Sequence, residues 1–311
     1  MDDILTGPFD RRMRRLRRDR AADKFVAQDF LVKAATRSIT ERLSEINRDF
    51  DTALDLGGHI GGFRDAAVEQ IPGKIGQLYQ CDQSPRMVAQ MANPYRLVAD
   101  EEALPFAAAS FDLIVSTLSL HMVNDLPGTL LQIRHCLKPD GLFIGAMFGG
   151  ETLTELRQAF ARAEIEQEGG MSPRVAPFTD IRDAGSLLQR AGFTMPVTDF
   201  ETLTVTYPSL FRLMQELRDM GESNSLTHRH KHFSRRQTLL RAAEIYHDQF
   251  SEPDQRIRAR FDIIYLTGWS PSPDQPKPLR PGSARMRLAD ALGTSETVLP
   301  ARMPDDTPPD E

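Results

Sequence analysis

The chain has 311 residues, 40% of them hydrophobic, a formal net charge of −6 and only two cysteines. That is enough for one large α/β domain or two small ones, and the acidic balance argues against a protein devoted to nucleic acid. Cys81 and Cys136 make neither a disulfide framework nor a zinc spacing, no run approaches the roughly 18 apolar residues of a membrane span, and the start lacks a secretory apolar stretch, so the sequence reads as cytoplasmic.

In chain order, the first feature is "RRMRRLRRDR", Arg11 to Arg20, with seven arginines in ten residues. Helical spacing puts Met13 and Leu16 on one face and spreads the arginines around the rest. This reads as a solvated helix, as a contact for an acidic partner, or as a peripheral contact with anionic lipid. Asp2, Asp3, Asp10 and Asp19 weaken a transit-peptide reading. A second helix is expected from Phe25 to Asn47.

Short apolar runs then follow at Ala53–Leu56, Ile75–Gln80, Arg96–Ala99, Phe111–Leu120 and Leu142–Phe148. Helical stretches Arg64–Ile71, Pro85–Met91 and Leu126–Leu137 lie between them, the pattern of a parallel sheet covered on both faces. "KPDG" (Lys138 to Gly141) reads as a turn before the fifth strand. Beyond Gly150 come a long helix from Glu151 to Glu168, a loop-like "GGMSPRVAPF", and helices near Ala184–Ala191, Ser209–Met220 and Arg235–Phe250. "FETLTVTYP" and "FDIIYLTGW" read as two further strands. The tail "MPDDTPPDE" reads as disordered.

Ligands of open α/β sheets bind beyond the carboxyl ends of the strands. There the sequence places Asp55 with Gly57, Gly58, His59, Gly61 and Gly62, then Asp82, then Asp100 and Glu101 with Glu102, then Thr117, Ser119, His121 and Asp125. Glycines permit close approach of a ligand and positive φ. A carboxylate ending the second strand can accept both hydrogen bonds of a ribose diol, and one after the third can accept from an adenine amine; each alone also reads as a helix cap or turn. The glycines do not follow G-x-G-x-x-G and no phosphate loop occurs, so a ligand without phosphates fits better.

The order of these pieces resembles the class I S-adenosylmethionine-dependent methyltransferase superfamily. Over Leu104 to Arg157, "EGGMSPRVAPF" (Glu168 to Phe178), "LQRAGF" (Leu188 to Phe193), "MGESN" (Met220 to Asn224), "YLTGW" (Tyr265 to Trp269) and "PGSA" (Pro281 to Ala284), the chain is similar to the methyltransferase-like respiratory complex I assembly factor 5 family and its bacterial relatives. The resemblance implies an α/β, Rossmann-like seven-stranded sheet that binds S-adenosyl-L-methionine. It also implies a role in complex I assembly through hydroxylation of an arginine on a quinone-site subunit. By match to the superfamily, Gly57, His59 and Gly61 line the methionine part, Asp82 holds the ribose, Asp100 and Glu101 stand near adenine, and Thr117 closes the site. His59 departs from the usual glycine, so its ring must point away from the ligand or replace a contact. Eukaryotic relatives imply the mitochondrial matrix.

Two residues are candidates for catalysis. His121 is a general-base candidate or a structural hydrogen-bonder, and Glu151 can accept a guanidinium or favour a following helix N-terminus. His228, His230 and His232 read as an exposed polar loop rather than a metal site, and no H-x-[DE] occurs. The expected organisation is an N-terminal helical arm (1–48), a methyltransferase-like domain (49–270) with helical insertions after strand 5 forming a cover (about 151–192 and 208–250), and a proline-rich tail (271–311). The alternatives are an O- or N-methyltransferase acting on a small or carrier-bound acid, in the manner of malonyl-carrier-protein methyltransferases, and a non-catalytic assembly chaperone.

Overall fold

Continuous apolar strands need cover on both faces, and the observed layers provide it. The computed structural model describes residues 7–275 and 286–295. Met1–Ser272 and Pro273–Glu311 are separate units. The family motif "PGSA" and the tail "MPDDTPPDE" lie outside the described residues.

The first unit is built on a seven-stranded sheet: β1 (Phe50–Leu56), β2 (Ile75–Asp82), β3 (Arg96–Val98), β4 (Phe111–Thr117), β5 (Leu137–Gly149), β6 (Thr194–Tyr207) and β7 (Ile257–Trp269). Its spatial order is β3-β2-β1-β4-β5-β7-β6, with β7 antiparallel to both neighbours. The order reverses between β1 and β4, where open α/β sheets place their ligands. "KPDG" is not a turn ahead of β5. It lies within the strand run, with Asp140 at φ 61° and the register slipping opposite Phe111 to Leu113. The pairing of Leu137 with Phe111 keeps the segment on the sheet, so one extra loop of chain becomes a bulge.

Helices α1 (Arg11–Ala21), α2 (Phe30–Glu45), α3 (Gly62–Gln70), α4 (Pro85–Gln90) and α5 (Leu126–Cys136) accompany the first half. They are followed by α6 (Thr154–Glu168), α7 (Ile181–Arg190), α8 (Leu210–Asp219) and α9 (Arg236–Phe250). Leu31, Ile39 and Leu43 of α2, Ala159 of α6, Leu213 of α8 and Ile245 of α9 share one core with the sheet, while Leu130 and Ile133 of α5 and Leu188 of α7 share the other. The helix expected from Phe25 is broken: a 3-10 turn at Phe25–Ala27 precedes α2. The second unit holds the short α10 (Leu288–Leu292). Among the described residues, no helix is long and apolar enough to cross a membrane.

The arm is not a solvated helix. Asp10 caps α1 by accepting from the Met13 N–H at 2.9 Å, and the preceding strand-like residues pair Phe9 with Leu226. Leu16 is 39% exposed, whereas Arg14 and Arg18 are buried at 1% and 0%. The face that turns inward is thus the one carrying Arg11, Arg14 and Arg18, residues spaced three and four apart. Burying guanidinium groups requires buried counter-charge. The cleft beyond β1 and β2 supplies it.

Candidate functional site

The loop from β1 into α3 turns tightly enough that Gly57, His59 and Gly61 have φ of 71°, 52° and 95°. A Cβ at Gly58 would lie 2.4 Å from Asp55 Oδ2, so the loop closes over its own strand's carboxylate only with glycine there. Asp55 accepts from Gln80 Nε2 at 2.8 Å through that oxygen, and its Oδ1 has no partner. Burial, opposed by the Gln80 hydrogen bond and assisted by the Asp82 charge, pushes Asp55 up to about 7.

His59 tolerates its left-handed backbone because its ring is tied on three sides. It stacks on Phe25 with centroids 5.0 Å apart, Arg18 Nη2 lies 2.9 Å from Nδ1, and Nε2 lies 2.8 Å from the Thr117 carbonyl. A guanidinium only donates and a carbonyl only accepts, so Nδ1 is bare and Nε2 carries the proton. Burial, with the neighbouring Arg18 charge, holds the ring well below its usual value and hence neutral.

Asp82, at the end of β2, is fully buried. It accepts from the backbone N–H of Ser84 at 2.8 Å and of His59 at 3.1 Å, and from Arg18 through both carboxylate oxygens. Arg11 likewise engages the two acids beyond β3: it bonds to Asp100, and to Glu101 at 2.6 Å. Burial tends to raise Glu101, but the Arg11 charge and a hydrogen bond from Ser119 hold it down at about 2. Asp100 is half-exposed, Glu101 buried. The structure therefore brings together Asp55, Gly57, Gly58, His59, Gly61, Asp82, Glu101 and Thr117, with Asp100 at the rim.

This donor set fits a nucleoside that carries hydroxyl and amine donors. The acceptors are buried carboxylates, and Asp55 Oδ1, Thr117 Oγ1, Ser116 Oγ and Gln80 Oε1 are buried polar atoms without a hydrogen-bond partner. Asp82 and Glu101 would hold ribose and base, and the glycine loop the remainder.

Comparison with known proteins shows the family. Residues 54–145 match the family model described as a methyltransferase domain. The Rattus norvegicus protein named "Arginine-hydroxylase NDUFAF5, mitochondrial" is 41% identical over 293 residues, covering 93% of this chain and 85% of that protein. The Homo sapiens protein of that name is 41% identical over 298 residues, 94% of this chain and 85% of its own. The chain belongs to the class I S-adenosylmethionine-dependent methyltransferases. Malonyl-[acyl-carrier protein] O-methyltransferase of Xylella fastidiosa is 31% identical over 276 residues, 86% of this chain and 90% of that one. The crystal structure of YcgJ from Bacillus subtilis superposes with a TM-score of 0.53 at 13% identity, over 76% of this chain and 98% of that one, which shows the shared fold.

This methyltransferase also has a cavity of about 600 Å³, lined among others by Phe9, Met122, Phe148, Leu153, Phe178 and Glu222. His121, in the 3-10 turn after β4, lies against Phe148 and Phe178 with centroids at 4.7 and 5.9 Å. Its Nε2 is 3.2 Å from Glu222 Oε2 and its Nδ1 has no partner. Burial outweighs the Glu222 charge and keeps His121 below its usual value, hence neutral. Glu222 was not anticipated as a site residue, although "MGESN" was legible as a motif. Gly221, at φ 80°, ends α8 with a backbone bond from Glu222 N–H to Leu217 O at 2.8 Å, and this projects the Glu222 side chain inward.

Glu151 is exposed and stands apart from this cavity, its backbone N–H donating to Asp262 at 2.9 Å. The residue at the N-cap of α6 is Leu153, two positions further on. His228, His230 and His232 are exposed, and among the described residues no group of three His, Cys, Asp or Glu is arranged to hold a metal ion.

Proposed function

We propose that this protein binds S-adenosyl-L-methionine in the cleft beyond β1, β2 and β4. We further propose that it acts in the assembly of respiratory complex I, hydroxylating an arginine of a quinone-site subunit. The observation that carries this reading is the similarity, over 85% of their length, to relatives named arginine hydroxylases, and the geometry suits it. The cavity is apolar along Met122, Phe148 and Phe178 and carries the Glu222 carboxylate on its lining, with His121 buried behind it and bonded to it. Such a shape admits a long side chain with an apolar stem and a polar tip from a protein substrate. His121 is the candidate proton acceptor, because its Nδ1 is bare and the ring is neutral. Bound S-adenosylmethionine would supply an electrophilic methyl group, the chemistry of methyl transfer. Hydroxylation instead requires dioxygen as oxidant and two electrons from an external reductant, with the chain's own residues binding and orienting the arginine. Arg12 and Arg15 are exposed on α1, and a peripheral contact with the inner membrane is proposed through them.

A second reading, methyl transfer to a carrier-bound acid, is favoured by Arg17, Arg20, Lys24 and Arg218 at the cavity. Arg17 is depressed to about 10 by burial and by the Arg229 charge, which marks positive charge without full compensation there. Peptide mass spectrometry of complex I from wild-type and deletion strains separates these. An arginine-bearing peptide heavier by one oxygen only in the wild type supports hydroxylation. A methylene difference on that peptide supports methyl transfer to the arginine. Methyl transfer to a carrier-bound acid leaves these peptides unchanged and is read as S-adenosylhomocysteine released with malonyl-carrier protein. No peptide difference and no such turnover, with assembly still impaired, supports a chaperone and overturns both enzymatic readings.

A further inference from the structure

The arginine-hydroxylase reading leaves open which group of this chain receives the substrate guanidinium. Glu222 stands at the junction of the apolar cavity and the cofactor cleft, and its side chain is only 10% exposed. Burial alone would raise its pKa, yet the charge of Arg14, the hydrogen bond with His121 and the charge of Arg18 hold it well below the usual carboxylate range, so it is ionised. Its nearest cation is Arg14 of α1, with Nη1 3.6 Å from Glu222 Oε1.

That contact is an ill-fitted one. Arg14 is 1% exposed, and none of Nε, Nη1 and Nη2 has a hydrogen-bond partner. Arg18 and Arg11, its neighbours on the same helix face, both bond their carboxylates directly. Burial and repulsion from those two lower Arg14, against the pull of Glu222. A buried guanidinium without hydrogen bonds is costly, whereas a carboxylate can take a guanidinium through two parallel bonds. The carboxylate is thus charged and held, and its present cation only neutralises it.

We infer that Glu222 is the receptor for the substrate arginine's guanidinium and that Arg14 of α1 occupies its place when no substrate is present. The inference rests on the arginine reading above. It gives "MGESN" a role: Gly221 turns the chain so that Glu222 faces the cavity. Asn224 Nδ2 donates to Pro173 O at 2.7 Å, tying this turn to the second family stretch, "EGGMSPRVAPF". A guanidinium entering past Phe148 and Phe178 meets Glu222 from the cavity side, on a carboxylate whose Oε2 is bonded to His121 Nε2.

The test uses the full chain and a fluorescent peptide with a single arginine among small neutral residues, compared with the same peptide carrying citrulline. Fluorescence anisotropy of the wild type is expected to show preference for the arginine peptide by about tenfold or more. Arg14→Met removes the internal occupant and is expected to tighten the arginine peptide several-fold without changing the citrulline one. Glu222→Gln alone leaves Arg14 buried without counter-charge, so Arg14→Met/Glu222→Gln is compared as well, with thermal melting confirming its fold; it is expected to lose the preference. Arg14→Met without tighter binding, or a double variant that keeps the preference, overturns the assignment. If the double variant also still adds oxygen to the arginine in cells, the hydroxylase reading stands and Glu222 alone is wrong. If the wild type shows neither arginine preference nor an oxygen-bearing peptide, the hydroxylase reading fails and the Glu222 assignment falls with it.

Discussion

Arg18 and Asp82 form an ion pair in which both side chains are fully buried, one from the N-terminal helix and the other from the end of β2. Arg18 bonds to both oxygens of the carboxylate that would take the ribose diol. Arg11 bonds one oxygen each of Glu101 and Asp100, next to the proposed adenine position. On the proposed assignment, α1 and the nucleoside compete for the same acceptors.

Arg18→Ala is therefore expected to tighten binding of S-adenosylhomocysteine by about tenfold, measured by titration calorimetry. The ligand-free variant should lose about 3–5 kcal/mol of stability, because Asp82 is left buried without its counter-charge. Weaker ligand binding in Arg18→Ala would show instead that Arg18 grips the ligand. Asp82→Asn, which keeps the shape and removes the charge, is expected to weaken the ligand at least tenfold.

Asp55 provides a pH signature. Its native value, about 7, lies above the ordinary 3.8, chiefly through burial. The folded state holds a proton that the unfolded chain has released, so its contribution is whole below about pH 4 and declines as pH rises to about 7. Asp55→Asn removes that decline. Melting curves of the ligand-free proteins should diverge from pH 5 to pH 8, with the variant gaining roughly 3–4 kcal/mol at the upper end. Parallel curves would refute the burial argument.

His59→Gly restores the glycine usual at this loop position. Positive φ becomes unstrained, but the Phe25 stack and the bond to Thr117 O are lost. The net effect expected is a loss of about 1–2 kcal/mol, or a few degrees in melting temperature. Affinity for S-adenosylhomocysteine should be retained, since the ring bonds to protein atoms. Loss of ligand binding in His59→Gly would assign the ring a direct contact.

His121→Gln keeps a hydrogen-bonding side chain and removes the basic nitrogen. Product is expected to fall by two orders of magnitude or more, about the contribution of a general base, while ligand affinity stays unchanged. Burial depresses the wild-type imidazole, so its basic form persists as pH falls through the usual 6.5 and activity should hold there. A drop centred at or above pH 6.5 would contradict this.

The succession of strands and helices along the chain, the glycine loop and the acids at the strand ends were legible in the sequence. Parallel strands buried on both faces read as continuous apolar runs, and a loop needing positive φ must show its glycines. The same local logic misled at "KPDG", whose turn-forming residues became a bulge because pairing of Leu137 with Phe111 held them on the sheet. It also misled at the arginine run. Arginine on a helix reads as solvated, since isolated burial of a guanidinium is prohibitive; only the folded chain shows that Asp82, Glu101 and Glu222, from distant segments, converge beneath that helix. Glu222 is the clearest case. A carboxylate in "MGESN" carries no signal of its own, and the sequence alone established that the motif was present. The turn at Gly221, the packing of Phe148 and Phe178 around His121, and the descent of α1 decided that it faces a cavity as a buried anion, because charge complementarity across the chain is a property of tertiary distance.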